Sequence, residues 1–146
     1  LRTILLATDF SLHSDRALAY ALKWGCEWAS KVVILHTVEE TAPAMRGLVD
    51  LFPEYNPLFE RQVAAAWEKI RDLVPEAAQP WSQVVYEVRH GNPKEEILRV
   101  AQEQGADLVI TGARGAGRSG APWGSVSSAI VRNGRFPVLV VRDLSA

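Results

Sequence analysis

Five short apolar runs, at residues 3–7, 31–38, 84–88, 107–111 and 136–141, punctuate the chain, and helical patterns fill the intervals between most of them. Runs of this length read as strands. Runs apolar at nearly every position must be covered on both faces. Strands of this kind alternating with helices specify an α/β fold, a parallel sheet between two helical layers. The first interval carries Leu18, Ala21, Leu22, Gly25 and Ala29 at the spacing of one helix face, with Ser14 as the expected N-cap. A second face is formed by Phe59, Val63, Ala66, Trp67, Ile70 and Leu73, closed near Pro75. Asn92 and Pro93 open a third helix, with Glu95 closing a capping box, Ile97, Leu98 and Ala101 on its apolar face and Gly105 as its stop. A short helix is expected at about residues 125–133. Residues 39–57, with Pro43, Gly47, Pro53 and Pro57, keep no period, as expected of a lid, a binding loop or a disordered segment.

At 146 residues and 48% apolar content the chain has enough material for one domain with a three-layer core, and the whole of 1–146 reads as a single domain. Several function classes are disfavoured. The net charge is −1 with scattered Lys and Arg, so no basic stripe suits nucleic acid. No apolar run reaches membrane-span length, and no signal-peptide pattern opens the sequence. The one cysteine, Cys26, has no partner for an internal disulfide, so a cytoplasmic setting is expected. His13, His36 and His90 make no metal-ligand spacing, and His36 reads as a hydrogen-bonded core residue. The five tryptophans do not interleave with basic residues and read as packing.

The chemistry concentrates in DLVITGARGAGRSGAPWGSVSSAIV, residues 107–131. Three phosphate-binding patterns overlap there. A P-loop reading of Gly112, Gly117, Arg118 and Ser119 fails, because Arg stands where Lys belongs and Gly120-Ala121-Pro122 cannot carry a helix onward. A dinucleotide reading of Gly115, Gly117 and Gly120 does follow a strand, and Asp143 falls about 20 residues on. However, its helix starts only after Gly124, and the sequence has no second half for the other nucleotide. The third reading takes Gly124-Ser125 as the entry to a helix whose N-terminus favours an anion.

ATDFSLHSDRALAYAL, HGNPKEEIL, DLVITGARG, GSVSSAIV and FPVLVVR, in that order, resemble the blocks of the universal stress protein family over the whole length. The resemblance implies a three-layer α/β sandwich of the adenine nucleotide alpha hydrolase-like kind. Its parallel sheet has five strands in the order 3-2-1-4-5, with helices on both faces. It implies an adenine-nucleotide-binding (ATP or AMP) regulatory stress-response module, with Mg²⁺ or Mn²⁺ held through the phosphates. The implied contacts are Ala7, Thr8 and Asp9 at the end of the first strand, and Val38 at the adenine edge through its main chain. Gly112, Arg114, Gly115, Gly124, Ser125 and Val126 are implied around the phosphates, with Arg118 a weaker candidate. Asp9 also reads as a capping residue, and Val38 also reads as plain core. The loop from Gly115 to Gly124 is one residue shorter than the pattern of the family's ATP-binding branch, with Ala121-Pro122-Trp123 where aliphatic residues are usual.

The signatures of two enzyme groups sharing this fold, S-G-G-x-D-S and H-x-G-H, do not occur, and no catalytic set is visible. Slow ATP hydrolysis is the most enzymatic activity to expect. The alternative is a nucleotide-free dimeric interaction module of the same fold. In either case the resemblance implies a homodimer through the edge strand at 136–141.

Overall fold

The computed structural model describes residues 1–39, 51, 56–78, 83–113 and 124–142. Five strands are present: β1 (Thr3–Ala7), β2 (Lys31–Glu39), β3 (Gln83–Gly91), β4 (Leu108–Gly112) and β5 (Val138–Val141). The four helices among the described residues are α1 (Leu12–Glu27), α2 (Asn56–Arg71), α3 (Pro93–Gln104) and α4 (Ser125–Asn133). Every strand pair is parallel, and the sheet order is β3-β2-β1-β4-β5, as expected.

Alternation within the strands builds two cores. Ile4, Leu6, Val32, Ile34, Leu108 and Ile110 face one side, under Ala17, Leu18 and Ala21 of α1 and Ile70 of α2. Leu5, Ala7, Val33, Leu35 and Val109 face the other side, under Ile97, Val100 and Ala101 of α3 and Ile130 of α4. This accounts for the uninterrupted apolar runs, since a residue on either face of a central strand is sealed. Each Val, Leu or Ile so buried contributes about 1.5–3 kcal/mol. Asp107 ties the lower ends of β1 and β4 together: its carboxylate accepts the N–H groups of Arg2 and Thr3 at 2.9 and 3.0 Å. Those donors hold its pKa below the usual carboxylate value.

Several boundaries differ from the sequence expectation. α1 begins at Leu12, and its N-cap is Ser11, whose hydroxyl accepts from the Ser14 N–H; Ser14 is a buried residue of the first turn. The helix ends at Glu27, so Ala29 lies past it, exposed and at φ 50°. β3 runs on through polar Arg89 and His90, where the Arg89 guanidinium is held by Glu87 and by Glu103 of α3. β5 starts only at Val138: Pro137 lacks an N–H and contributes its carbonyl to the Val109 N–H, while Phe136 packs on the α3/α4 side. Of the loop expected over 39–57, Glu39 belongs to β2, Leu51 is helical and Asn56 and Pro57 open α2, while the rest lies outside the described residues.

Asn92 and Gly105 cap α3 as the sequence indicates, whereas the Glu95 N–H goes to the Asn92 carbonyl and not, as in a capping box, to its side chain. The Asn92 side chain accepts the Lys94 N–H at 3.0 Å, and Gly105 sits at φ 61° with open space around it. A Cβ at Gly105 would meet no neighbour, so only backbone strain opposes it. Gly105→Ala should lower stability by about 1 kcal/mol and Gly105→Asn by less, read as a shift in urea midpoint at unchanged slope.

Candidate functional site

β1 and β4 are neighbours, yet the chain leaves them toward opposite faces: β1 leads into α1, and β4 leads toward α4. Their diverging ends open a crevice of about 820 Å³ at the carboxyl edge of the sheet. This is the strand-order reversal where open α/β sheets hold ligands. Ala7, Thr8, Asp9, Val38, Gly112, Gly124, Ser125 and Val126 all line it. Of the other residues named from sequence, Arg114, Gly115 and Arg118 lie outside the described residues.

The turn after β1 is held from several directions. Thr8 donates its N–H to the Leu35 carbonyl at 2.8 Å and its hydroxyl to Ser14 Oγ at 3.0 Å. Asp9 Oδ1 accepts the Ser11 N–H at 2.9 Å and lies 3.1 Å from Ser14 Oγ, so this carboxylate oxygen does the turn-holding work that a capping Asp would do. The side chain is nonetheless exposed on the crevice wall. Between them Phe10 takes φ 65°, a left-handed conformation unusual for a bulky residue. Its ring lies against His36 at 4.2 Å between centroids, and Lys69 Nζ of α2 stands 5.4 Å from the ring centre.

His36 is hydrogen-bonded, as expected, but it is half-buried on the crevice rather than in the core. Its Nδ1 lies 2.8 Å from the Thr8 carbonyl. A carbonyl only accepts, so Nδ1 carries a proton in either charge state. Burial pushes the imidazole pKa below 6.5, against the Thr8 hydrogen bond and the Asp9 charge, with Lys69 adding to the depression.

The phosphate-side elements divide by role. Gly112 has a steric reason to be glycine: a Cβ there would come within 3.0 Å of the His13 backbone, where the start of α1 crosses β4. Gly124 is the N-cap of α4 at φ −74°, which any residue adopts, and supplies no side-chain cap. The first turn, from Ser125, therefore presents N–H groups that no capping side chain at position 124 serves. Ser127 is turned inward, its hydroxyl donating to the Ala113 carbonyl at 2.9 Å.

Register adds what the sequence did not show. β2 pairs with β1 only as far as Leu35↔Ala7, but with β3 as far as Glu39↔Gly91. Past Leu35 its β1-side edge opens onto the crevice. Since the Leu35 carbonyl meets Thr8, alternation turns the peptide groups of Thr37 the same way, and those of Val38 toward β3. Phe10, Ser14, His36, Thr37 and Lys69 join the lining without having been singled out as site residues. Phe10 and Ser14 fall within the ATDFSLHSDRALAYAL block, whereas no motif covers His36, Thr37 or Lys69, whose placement depends on which helix and strand face one another.

The universal stress protein family model matches residues 1–142. Universal stress protein G of Escherichia coli O157:H7 is 35% identical over 97% of this chain and 99% of its own. Universal stress protein MJ0577 of Methanocaldococcus jannaschii is 27% identical over 97% of this chain and 94% of its own. The solved structure of MJ0577 superposes with a TM-score of 0.85 over 99% of this chain and 98% of that one. A universal stress protein solved in complex with cAMP shares the fold at a TM-score of 0.66 and 22% identity, covering 97% of this chain and 96% of that one. The chain belongs to the universal stress protein family.

The His36 environment sets a pH dependence. The unfolded imidazole titrates near 6.5 and the folded one lower, so at mildly acid pH the unfolded state binds the extra proton. The stability that comes from keeping His36 neutral is complete above pH 6.5 and is lost as pH falls toward the folded pKa. His36→Asn keeps a donor for the Thr8 carbonyl but does not titrate. Its thermal midpoint should therefore fall less than that of the parent between pH 7 and pH 5, read by calorimetry at matched ionic strength.

Proposed function

We infer that this chain is an adenine-nucleotide-binding universal stress protein, a regulatory module that holds ATP or AMP in the β1/β4 crevice. The observation that carries this reading is convergence. Residues named separately at the ends of β1 and β4, on β2 and at the start of α4 line one crevice, beside a helix N-terminus with no side-chain cap. Phosphate would sit on the first-turn N–H groups of α4, where the helix dipole favours an anion. The base would reach across β1 toward the open edge of β2, where Thr37, rather than Val38, presents its peptide groups. The family relative in complex with cAMP supports an adenine nucleotide as the class of ligand. Mg²⁺ or Mn²⁺ would arrive with the phosphates, since among the described residues no three His, Cys, Asp or Glu side chains gather to hold a metal. Among those residues no helix is long and apolar enough to cross a membrane.

Gly124 provides the test. Its backbone angles permit any residue, so a branched side chain there fills ligand space without straining the chain. The parent should give binding heat with ATP and Mg²⁺ and with AMP. Gly124→Val should give none while unfolding near the parent temperature. A parent that binds neither nucleotide would leave the nucleotide-free interaction module.

The same reading includes a homodimer. β5 is a sheet edge whose four residues, Val138, Leu139, Val140 and Val141, carry no charge. An uncharged apolar edge invites pairing, and a second copy satisfies it antiparallel across a two-fold axis. Light scattering should report twice 16.1 kDa at micromolar concentration, and Val140→Lys should shift the mass toward the single chain. A parent that stays at 16.1 kDa would refute the dimer.

A further inference from the structure

Thr37 is about nine-tenths buried, with 9% exposure, and lines the crevice. Its hydroxyl is shut off from water and has no hydrogen-bond partner among the described residues. A buried hydroxyl without a partner is destabilising, and an apolar residue of the same shape at this β-strand position would avoid that cost. The placement is specific. Strand alternation puts the Thr37 side chain on the face of Leu35 and Ala7, the side covered by α3, where Pro93 and Ile97 complete the wall. His36 and Val38 fall on the opposite face. β2 and β4 lie on either side of β1, so the Thr37 strand end is about 10 Å from that of Gly112, two strand spacings. That distance matches the reach of a nucleotide from its α-phosphate to the far edge of its base. A ligand anchored at the start of α4 therefore brings its base edge to Thr37. Rotation about Cα–Cβ exchanges the hydroxyl with the methyl group and moves no backbone.

We propose that the Thr37 hydroxyl is a specificity-determining group of the crevice, satisfied by a hydrogen bond to the polar edge of the bound base. The proposal rests on the nucleotide reading above and adds a side-chain contact to the main-chain edge of β2. The ligand supplies the missing partner, so the hydroxyl adds to binding and nothing to the stability of the empty protein.

Thr37→Val keeps the shape and removes the hydroxyl, while Thr37→Ser keeps the hydroxyl and removes the methyl. Calorimetric titration with AMP and thermal unfolding without ligand are read on both variants and the parent. Thr37→Val should bind AMP about tenfold more weakly, or about 1.4 kcal/mol, and unfold at the parent temperature or above. Thr37→Ser should recover most of the affinity. If Thr37→Val binds AMP as the parent does, the proposal is overturned while the nucleotide reading stands. It is likewise overturned if the variant unfolds well below the parent at unchanged affinity, since the hydroxyl would then have a partner within the protein. If the parent itself binds no AMP, both fall together.

Discussion

Pairing of β1 with β4 is the contact on which the site depends. Three registered pairs, Ile4↔Leu108, Leu5↔Val109 and Leu6↔Ile110, join strands more than a hundred residues apart in sequence. Every one of these residues is buried, and Asp107 pins the lower end by accepting two N–H groups from the start of β1. The crossovers on one face of the sheet run through α1 and α2, and those on the other face through α3 and α4. Apolar strand interiors fix the seam, and the seam fixes the opening at its carboxyl end.

The walls of that opening come from different kinds of constraint. On the β1 side, a left-handed Phe10 donates its N–H to Thr8 Oγ1, Asp9 Oδ1 accepts the following N–H of Ser11, and the Phe10 ring lies against His36. Strain of this kind persists only where neighbours over-determine it, and it clusters at ligand sites. On the β4 side the constraint is space: Gly112 is bare because the start of α1 lies against it. On the β2 side it is register, since β2 outruns β1 and leaves an edge unpaired on the crevice. Together they set the backbone walls of the cleft.

The strands were legible because a residue sealed on either face must be apolar, and the runs around Leu5, Val33 and Val109 state this directly. Asn92, Pro93 and Gly105 were legible because caps act through their own backbone. Two serines compete for the cap of α1, and the turn in which Asp9 Oδ1 accepts the Ser11 N–H fixes the earlier one. β3 outlasted its apolar run because Arg89 is neutralised by Glu103 from a different element, which no local pattern reveals. Thr37 reads from sequence as one more strand residue. What sets it apart is where β1 stops, a property of pairing rather than of any motif.

In the proposed binding mode the nucleotide lies across β1, phosphate at α4 and base at β2. A crystal structure of the protein with AMP tests this directly. Phosphate oxygens should lie within hydrogen-bond distance of the first-turn N–H groups of α4, and the base edge against the peptide and hydroxyl groups of Thr37. AMP bound instead beside His36 and Lys69 on the α2 side, or a crevice left empty at millimolar AMP, would contradict it.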